Sequence, residues 1–131
     1  MPIALILSLA AQAVAQPSVQ GKWRSPGGNS IISIAPCGQN LCGTVAWASN
    51  KAKQDARNTT EQLVGTQLLT NLQDRGDGRW QGGLFIPDKN MRVTAKLQLM
   101  SPDQLKVSGC LAGKAMCKSE LWARTDAIPA N

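Results

Sequence analysis

The chain has no histidine and no tyrosine, and only eight of its 131 residues are acidic. Without histidine, a serine or cysteine nucleophile would need a lysine or a carboxylate as its base. Carboxylate-pair catalysis needs two acids held at a fixed separation. Several of the acids fall instead in turn-like segments: Asp74, Asp77, Asp88 and Asp103. Because groups for proton transfer are scarce, we expect a protein that is not an enzyme and uses no cofactor.

Charged residues are absent from the first 15 positions. An apolar run begins at Ile3–Leu7 and ends at Ala13–Ala15, a small-x-small cleavage signature. The run is short and rich in alanine, which favours a signal peptide over the alternative of a retained anchor. The pattern predicts a signal peptide over 1–15, one mature domain over 16–131, and no stable membrane span after cleavage. The mature protein is then periplasmic or secreted.

Basic residues outnumber acidic ones by 14 to 8, which gives a net charge of +6. They are scattered, and the densest group is Lys51, Lys53 and Arg57. A scattered basic surface is typical of a solvated exterior, so we expect no nucleic-acid partner. Outside the cytoplasm, the anions that such a surface meets are envelope polymers and lipid head groups.

The four cysteines occur as two close pairs, Cys37 with Cys42 and Cys110 with Cys117. In an exported protein, four cysteines indicate disulfides and allow three pairings. We predict the two local bridges, because each would close a tight reversal between two extended segments. Zinc binding is the competing explanation. Since the chain has no histidine and neither pair is a C-x-x-C, we expect no metal site.

From Gly21 onward the apolar residues recur with period two, which is typical of β-strands. Val93, Ala95 and Leu97 alternate with polar residues, and Ser101–Asp103 is a hairpin turn before the next alternating run. The pattern predicts eight strands, near 21–25, 29–36, 42–49, 64–72, 79–86, 91–100, 104–111 and 119–125.

One predicted strand and one connection are less regular. The fourth strand is the weakest, because Val64, Leu68 and Leu72 also fit one face of a helix. Positions 50–62 form a long polar connection that has room for a turn of helix.

Short strands joined by hairpins favour an antiparallel up-and-down topology. Eight of them predict an all-β fold, a small closed antiparallel barrel, because closure removes both sheet edges. A β-sandwich is the alternative. In a closed barrel the first and last strands are neighbours, so Trp23 and Arg124 would meet. We predict a structural contact in which the Arg124 guanidinium stacks on the Trp23 indole.

Short motifs extend over nearly the whole of the mature chain. They are Gly21-x-Trp23, Gly28-Asn29-Ser30, Ala35-Pro36-Cys37, Leu41-Cys42-Gly43, Val45-x-Trp47, Asp55-x-x-Asn58, Gly65-x-x-Leu68-Leu69, Trp80-x-Gly82-Gly83, Leu105-x-Val107-x-Gly109-Cys110-Leu111 and Trp122-x-Arg124. This set resembles the bacterial exported family called domain of unknown function 2147. The resemblance implies a small lipocalin-like barrel in the envelope of Gram-negative bacteria, with no established activity.

An eight-stranded barrel is either filled by side chains or able to hold one small ligand. Small residues such as Gly43 and Gly109 would leave volume beside larger apolar ones. The large residues that would fill or line the interior are Trp47, Trp80 and Trp122. The side chains predicted to meet a ligand lie on apolar strand faces or on the long loop above them: Trp47, Trp80, Val93, Ala95, Leu97, Val107, Lys53, Asp55 and Asn58. For Asp55 and Asn58, the alternative is that they pin the loop by side-chain hydrogen bonds to its backbone.

Two functions therefore stay open. The first is a periplasmic binding module for a small apolar or amphiphilic molecule. The second is a protein-binding barrel, comparable to small exported protease inhibitors, whose partner is an envelope protein. An open apolar cavity favours the first function, and a filled core with an apolar surface patch favours the second. In either case we expect a monomer or a dimer.

Overall fold

The computed structural model describes residues 18–111 and 116–129, which form eight β-strands, one short α-helix and one 3₁₀ turn. In chain order the elements are β1 (Gly21–Arg24), the 3₁₀ turn (Pro26–Gly28), β2 (Ser30–Cys37), β3 (Asn40–Ala48), α1 (Asn50–Ala56), β4 (Gln67–Gly76), β5 (Arg79–Ile86), β6 (Met91–Ser101), β7 (Gln104–Cys110) and β8 (Cys117–Arg124). The signal peptide predicted over 1–15 lies outside the described residues.

The strands form a closed antiparallel barrel in which each strand pairs with the next along the chain. β8 returns to β1, where Trp23 lies opposite Arg124 and Arg24 lies opposite Ala123. The predicted eight-stranded up-and-down barrel is confirmed, and the sandwich alternative is wrong. The β2–β3, β4–β5 and β6–β7 hairpins share one end of the barrel, which we call the closed end. The opposite end is the mouth.

Both predicted disulfides are present, and both close hairpins. Cys37–Cys42 joins β2 to β3 at the closed end. Cys110–Cys117 joins β7 to β8 at the mouth, where the two residues are also direct cross-strand partners. The described cysteines include no free thiol.

β4 departs most from the predicted limits. The sequence pattern places it at 64–72, whereas the strand runs over Gln67–Gly76. Within it Asn71 has a φ of 51°, and the register with β5 shifts around this residue, as in a β-bulge. Because a bulge inserts an extra residue, Leu69 and Leu72 are three positions apart and yet both fully buried. Leu68 and Leu72, two of the three residues of the helix-like pattern, are buried strand residues, whereas Val64 lies before the strand.

The core lies mainly toward the closed end. Large, fully buried side chains come from six of the eight strands: Trp23, Ile32, Ile34, Val45, Leu69, Leu72, Leu97 and Leu105. The volume expected beside Gly43 is occupied, because a Cβ there would lie 2.8 Å from Leu69 Cδ1 and 3.1 Å from Ile32 Cγ2. Gly43 is therefore a close-packing position and not part of a cavity.

Arg124 and Trp23 form the predicted stacking contact at the closed end. The guanidinium carbon of Arg124 lies 4.2 Å from the centroid of the Trp23 ring. The same guanidinium donates hydrogen bonds to three backbone carbonyl oxygens, those of Pro102 at 2.7 Å, Gln20 at 2.8 Å and Ser18 at 2.5 Å. One side chain thus ties the segment before β1 and the β6–β7 turn to the end of β8.

Steric crowding by Arg124 explains why the Gly21-x-Trp23 motif begins with glycine. Gly21 has a φ of +127°, and a Cβ at this position would lie 2.6 Å from Nη1 of Arg124. The Trp23 indole nitrogen donates a 2.8 Å hydrogen bond to the carbonyl oxygen of Val19, which is itself buried. The motif therefore combines a ring for Arg124 to stack on with the space that its guanidinium needs.

The helix expected within 50–62 is α1. Ser49 caps its N-terminus by accepting a 3.1 Å hydrogen bond from the backbone N–H of Ala52. The same hydroxyl donates to Oδ1 of Asn29, on the connection between β1 and β2. Ala56 is buried and belongs to the hydrophobic core. These contacts fix α1 beside the mouth.

Candidate ligand-binding cavity

A cavity of about 540 Å³ opens at the mouth of the barrel. We call it the mouth cavity. It is bounded by the mouth-side parts of β2, β5, β6, β7 and β8 and by adjoining loops. Its lining is mainly apolar, and comprises Ser25, Ser30, Ile32, Leu68, Leu84, Phe85, Ile86, Pro87, Lys89, Met91, Val93, Val107, Gly109, Leu111, Met116, Cys117, Lys118, Ser119, Glu120 and Trp122.

The deepest part of the mouth cavity rests on buried core side chains. Ile32, Val107 and Trp122 are buried, whereas Leu84 and Val93 are half-buried on the cavity wall. The floor is therefore continuous with the packed half of the barrel. A ligand would remove further apolar surface from water there, which is the main driving force for binding in such sites.

Gly109 gives the wall its shape. A Cβ at this position would lie 3.1 Å from Cδ2 of Leu84 and 3.2 Å from Cγ2 of Val93. Because β7 has no side chain here, these two apolar groups reach across toward it. Gly109 is thus among the lining residues, unlike Gly43, and the expectation of space beside it holds in part.

The rim of the mouth cavity combines flexible apolar side chains with cations. Met91 is 42% exposed and Met116 is 67% exposed, and unbranched methionine side chains adapt to differently shaped partners. Lys89 and Lys118 are exposed lining residues beside them. The site therefore offers an apolar interior and a polar entrance, which suits an amphiphilic molecule.

A carboxylate lies in the wall on β8. The indole nitrogen of Trp122 donates a 2.6 Å hydrogen bond to Oε1 of Glu120. This satisfies the polar atom of a large buried side chain, as buried indoles require. Glu120 itself is exposed, so water solvates its charge.

The β5–β6 turn at the rim is tied to the loop that follows α1. The hydroxyls of Thr59 and Thr60 both donate to the carbonyl oxygen of Pro87. This loop therefore braces one side of the entrance, although its own side chains are not among the lining residues.

Two of the six predicted strand residues line the mouth cavity, Val93 and Val107. Ala95 and Leu97 share the inward face of β6 with Val93, but they are 0% and 2% exposed in the packed core. Trp80 is half-buried and packs against this core at the closed-end half of β5. The structure therefore brings these residues onto one interior surface, but at different depths.

Trp47 lies elsewhere. It is half-buried and directly opposite Ile31 across the β2–β3 pair, where a register shift separates that pair from Ile32 and Val45. Because Ile32 and Val45 form the next inward-facing pair, Trp47 is displaced from the interior face. It is not among the residues that line the mouth cavity.

The three predicted loop residues, Lys53, Asp55 and Asn58, are exposed and do not line the mouth cavity. Asp55 forms an ion pair of 2.8 Å with Lys51, one helical turn earlier. The hydrogen bond and the charge of Asp55 raise the pKa of Lys51 above its ordinary value. Asp55 is therefore used within α1 itself, as in the alternative that it pins the loop by side-chain hydrogen bonds, and it makes no contact with the cavity.

Leu84, Phe85, Met91 and Glu120 line the mouth cavity although they were not predicted to contact a ligand, and Trp122 lines it as one of the large residues expected to fill or line the interior. A usable signal was position along the strand. Leu84, Phe85 and Met91 lie near the strand ends that join the β5–β6 turn at the mouth, whereas Glu120 lies in the middle of β8.

A second concavity, of about 570 Å³, lies on the outer face of β5, β6 and β7. Its lining includes the exposed cations Arg75, Arg79 and Lys96 and the amides Gln81 and Gln98. Trp80 and Leu97 lie behind it. These two predicted residues therefore separate the outer concavity from the core and do not reach the mouth cavity.

Within residues 18–111 and 116–129, no group of three or more cysteine, aspartate or glutamate side chains is arranged to hold a metal ion. Among the same residues, no helix is long and apolar enough to cross a membrane.

Fold and cavity together define a class of protein: a lipocalin-like barrel, closed at one end and open to an apolar cavity at the other. The family model described as "Uncharacterized protein conserved in bacteria (DUF2147)" matches residues 21–124. The chain belongs to this family, as its motifs indicated.

Among solved structures, the chain is similar to protein HP1028 from the human pathogen Helicobacter pylori, which is described as belonging to the lipocalin family. The two are 12% identical and superpose with a TM-score of 0.64 over 83% of this chain and 84% of that chain. This likeness concerns the fold. The comparison with curated proteins found no match.

Proposed function

We propose that this protein binds one small apolar or amphiphilic molecule in the mouth cavity. The observation that carries the proposal is an apolar cavity of about 540 Å³ at the open end of a barrel whose other end is packed. A volume of this order suits a single small ligand. The cationic rim at Lys89 and Lys118 favours an anionic or polar head group on that ligand.

We propose that the protein binds its ligand without catalysing a reaction. Glu120 is the carboxylate that lines the mouth cavity, and it already accepts a hydrogen bond from Trp122. Its second oxygen is free, but Glu120 is the one acidic residue of the lining, so the lining lacks the pair of carboxylates that glycoside hydrolysis uses. The open cavity also favours small-molecule binding over the protease-inhibitor-like alternative, which a filled barrel would have supported.

We place this activity in the periplasm. Both cysteine pairs form disulfides, and structural disulfides persist in oxidising compartments such as the bacterial periplasm. The family is one conserved in bacteria. A carrier there would shield an apolar molecule from water between the membranes.

Binding is tested by narrowing the mouth cavity. Val93→Phe adds a ring to a half-buried wall position, so it should weaken binding of anilinonaphthalene sulfonate by about tenfold or more, which is about 1.4 kcal/mol. Palmitate should displace the dye from the wild-type protein and raise its Tm, since a ligand that binds only the folded state stabilises it. Dye fluorescence and thermal unfolding are the measurements.

Thr94→Phe is the matched control, because Thr94 is the next residue of β6 and faces outward. It should leave dye affinity unchanged. Equal affinities of both variants and the wild type would contradict the proposal, provided that Val93→Phe unfolds at a Tm near that of the wild type. Absence of any dye or palmitate binding by the wild type would contradict it as well.

A further inference from the structure

β8 has a long open edge. On one side it pairs with β7 along its whole length, from Cys117 to Ala123. On the other side it pairs with β1 only at Ala123 and Arg124, because β1 ends at Arg24 and the chain turns away. Among the described residues, no strand pairs with the remaining stretch, 117–122, on this side.

The direction of the backbone groups along the open edge follows from two hydrogen bonds. The N–H of Thr125 donates to Lys22 of β1 at 3.0 Å, whereas the N–H of Arg124 donates to Asp103 on the β7 side at 2.9 Å. Backbone groups alternate in direction along a strand. The residues whose N–H and C=O point to the open edge are therefore Cys117, Ser119 and Leu121.

An edge of this kind is a template for another strand. The stretch contains no proline and no bulge, and Leu121 is 50% exposed. The 3₁₀ turn Pro26–Gly28 lies beside β8. No backbone hydrogen bond joins that turn to β8 in the part of the chain that the structure describes.

We propose that two copies of this chain pair antiparallel through their β8 edges, in a register centred on Ser119. In this register the Ser119 residues of the two copies face each other and exchange both backbone hydrogen bonds. Lys118 then lies directly opposite the partner's Glu120, and Glu120 lies opposite the partner's Lys118. These are non-hydrogen-bonded positions, where Cα atoms approach to about 4.5 Å and side chains are closest.

Charge selects this register from its neighbours. A two-fold axis at residue 118 would place Lys118 opposite itself, and an axis at residue 120 would do the same for Glu120. Like charges directly opposite each other destabilise a strand pair, whereas opposite charges stabilise it. The Lys-Ser-Glu order is therefore self-complementary about Ser119, as the isologous interface of a two-fold dimer requires.

The barrel shape admits this pairing. The open stretch of β8 lies closer to the mouth than the residues of β8 that pair with β1. Antiparallel pairing of two such stretches points the closed ends of the two copies in opposite directions. The open side of the mouth cavity lies between β8 and Ser25 and Ser30, which line it. The partner's β8 would close this side, so each copy would complete the cavity wall of the other.

Charge reversal tests the pairing. Sedimentation velocity at increasing protein concentration should show a wild-type dimer. Lys118→Glu and Glu120→Lys should each weaken self-association by about tenfold or more, because each places like charges opposite one another. A mixture of the two variants should form a heterodimer, and the double variant should recover the wild-type dimer. Lys96→Glu, on the outer face of β6, is the charge-matched control and should dimerise normally.

Ser119→Pro is a second test that leaves the backbone hydrogen bonds to β7 intact, although it removes the 2.7 Å side-chain hydrogen bond between Ser119 and Ser108. It removes an N–H that points to the open edge, a position where a strand tolerates proline. The variant should be folded and monomeric. A wild-type protein that stays monomeric at all concentrations would overturn the proposal. So would dimers of unchanged affinity in the folded Ser119→Pro variant, or failure of the two folded charge variants to combine.

Discussion

Arg124 is the residue on which the closed end depends. It stacks on Trp23 and donates to the backbone carbonyl oxygens of Ser18, Gln20 and Pro102. A guanidinium carries five N–H donors in a fixed plane, so it can hold several carbonyls while its face remains on an aromatic ring. Lysine could not reproduce this arrangement, because its ammonium is a compact point charge.

At the residue scale we expect Arg124→Ala to lower the free energy of unfolding by roughly 2–3 kcal/mol. The loss combines a cation–π contact with charge-assisted hydrogen bonds at a partly exposed site. Urea denaturation followed by tryptophan fluorescence measures it. Arg75→Ala is the control, since Arg75 is exposed and its loss should cost about 0.5 kcal/mol or less. Equal losses of unfolding free energy in the two variants would show that the contacts of Arg124 add nothing to stability.

At the scale of the elements, the β4 bulge and a glycine of β5 depend on each other. The bulge at Asn71 turns the β4 backbone toward β5. A Cβ on Gly82 would overlap the carbonyl oxygen of Thr70 and lie 2.8 Å from that of Asn71. Gly83 is different, because a Cβ there would meet the side-chain hydroxyl of Thr70 at 2.7 Å. A hydroxyl can rotate away, whereas a ladder carbonyl cannot.

We therefore expect Gly82→Ala to destabilise the protein by about 3 kcal/mol or more, within the range of severe steric substitutions. The adjacent Gly83→Ala should cost clearly less, about 1 kcal/mol. Chemical denaturation of both variants provides the comparison. If Gly83→Ala lowered the free energy of unfolding more than Gly82→Ala, the β4 bulge would not be the reason that β5 needs a glycine.

At the scale of the whole molecule, the two ends of the barrel have different tasks. The closed end is packed and is held together by the contacts of Arg124, whereas the mouth holds the cavity and its exposed methionines. Each end has its own disulfide, with sequence separations of 5 at the closed end and 7 at the mouth. Loops this short give each bridge a similar effect on stability, about 2 kcal/mol by chain entropy.

The two disulfides should nevertheless differ in their effect on binding. Replacing Cys110 and Cys117 by alanine should lower both stability and the affinity for anilinonaphthalene sulfonate, because Cys117 lines the mouth cavity. Replacing Cys37 and Cys42 by alanine should lower stability by a similar amount and leave the affinity unchanged. Paired unfolding and dye titrations distinguish the cases. Equal loss of affinity in both variants would indicate that the dye senses global stability.

The sequence by itself determined the barrel, the two disulfides and the contact between Trp23 and Arg124. Period-two alternation specifies which side chains face inward along most of each strand, and it fails where the register shifts, at the β4 bulge and between Val45 and Trp47 of β3. The cysteine pairs are separated by single hairpin turns, so their pairing is local. The contact between Trp23 and Arg124 follows from closure, which makes the first and last strands neighbours wherever the intermediate strands end.

Only the tertiary structure decided where the cavity lies. Val93, Ala95 and Leu97 follow the same alternation, yet the first lines the mouth cavity and the other two are buried. What separates them is depth, because Ala95 and Leu97 lie farther from the mouth, in one packed core with Leu69 and Leu72. The open edge of β8 is likewise a tertiary property, because it exists only where β1 stops short beside it.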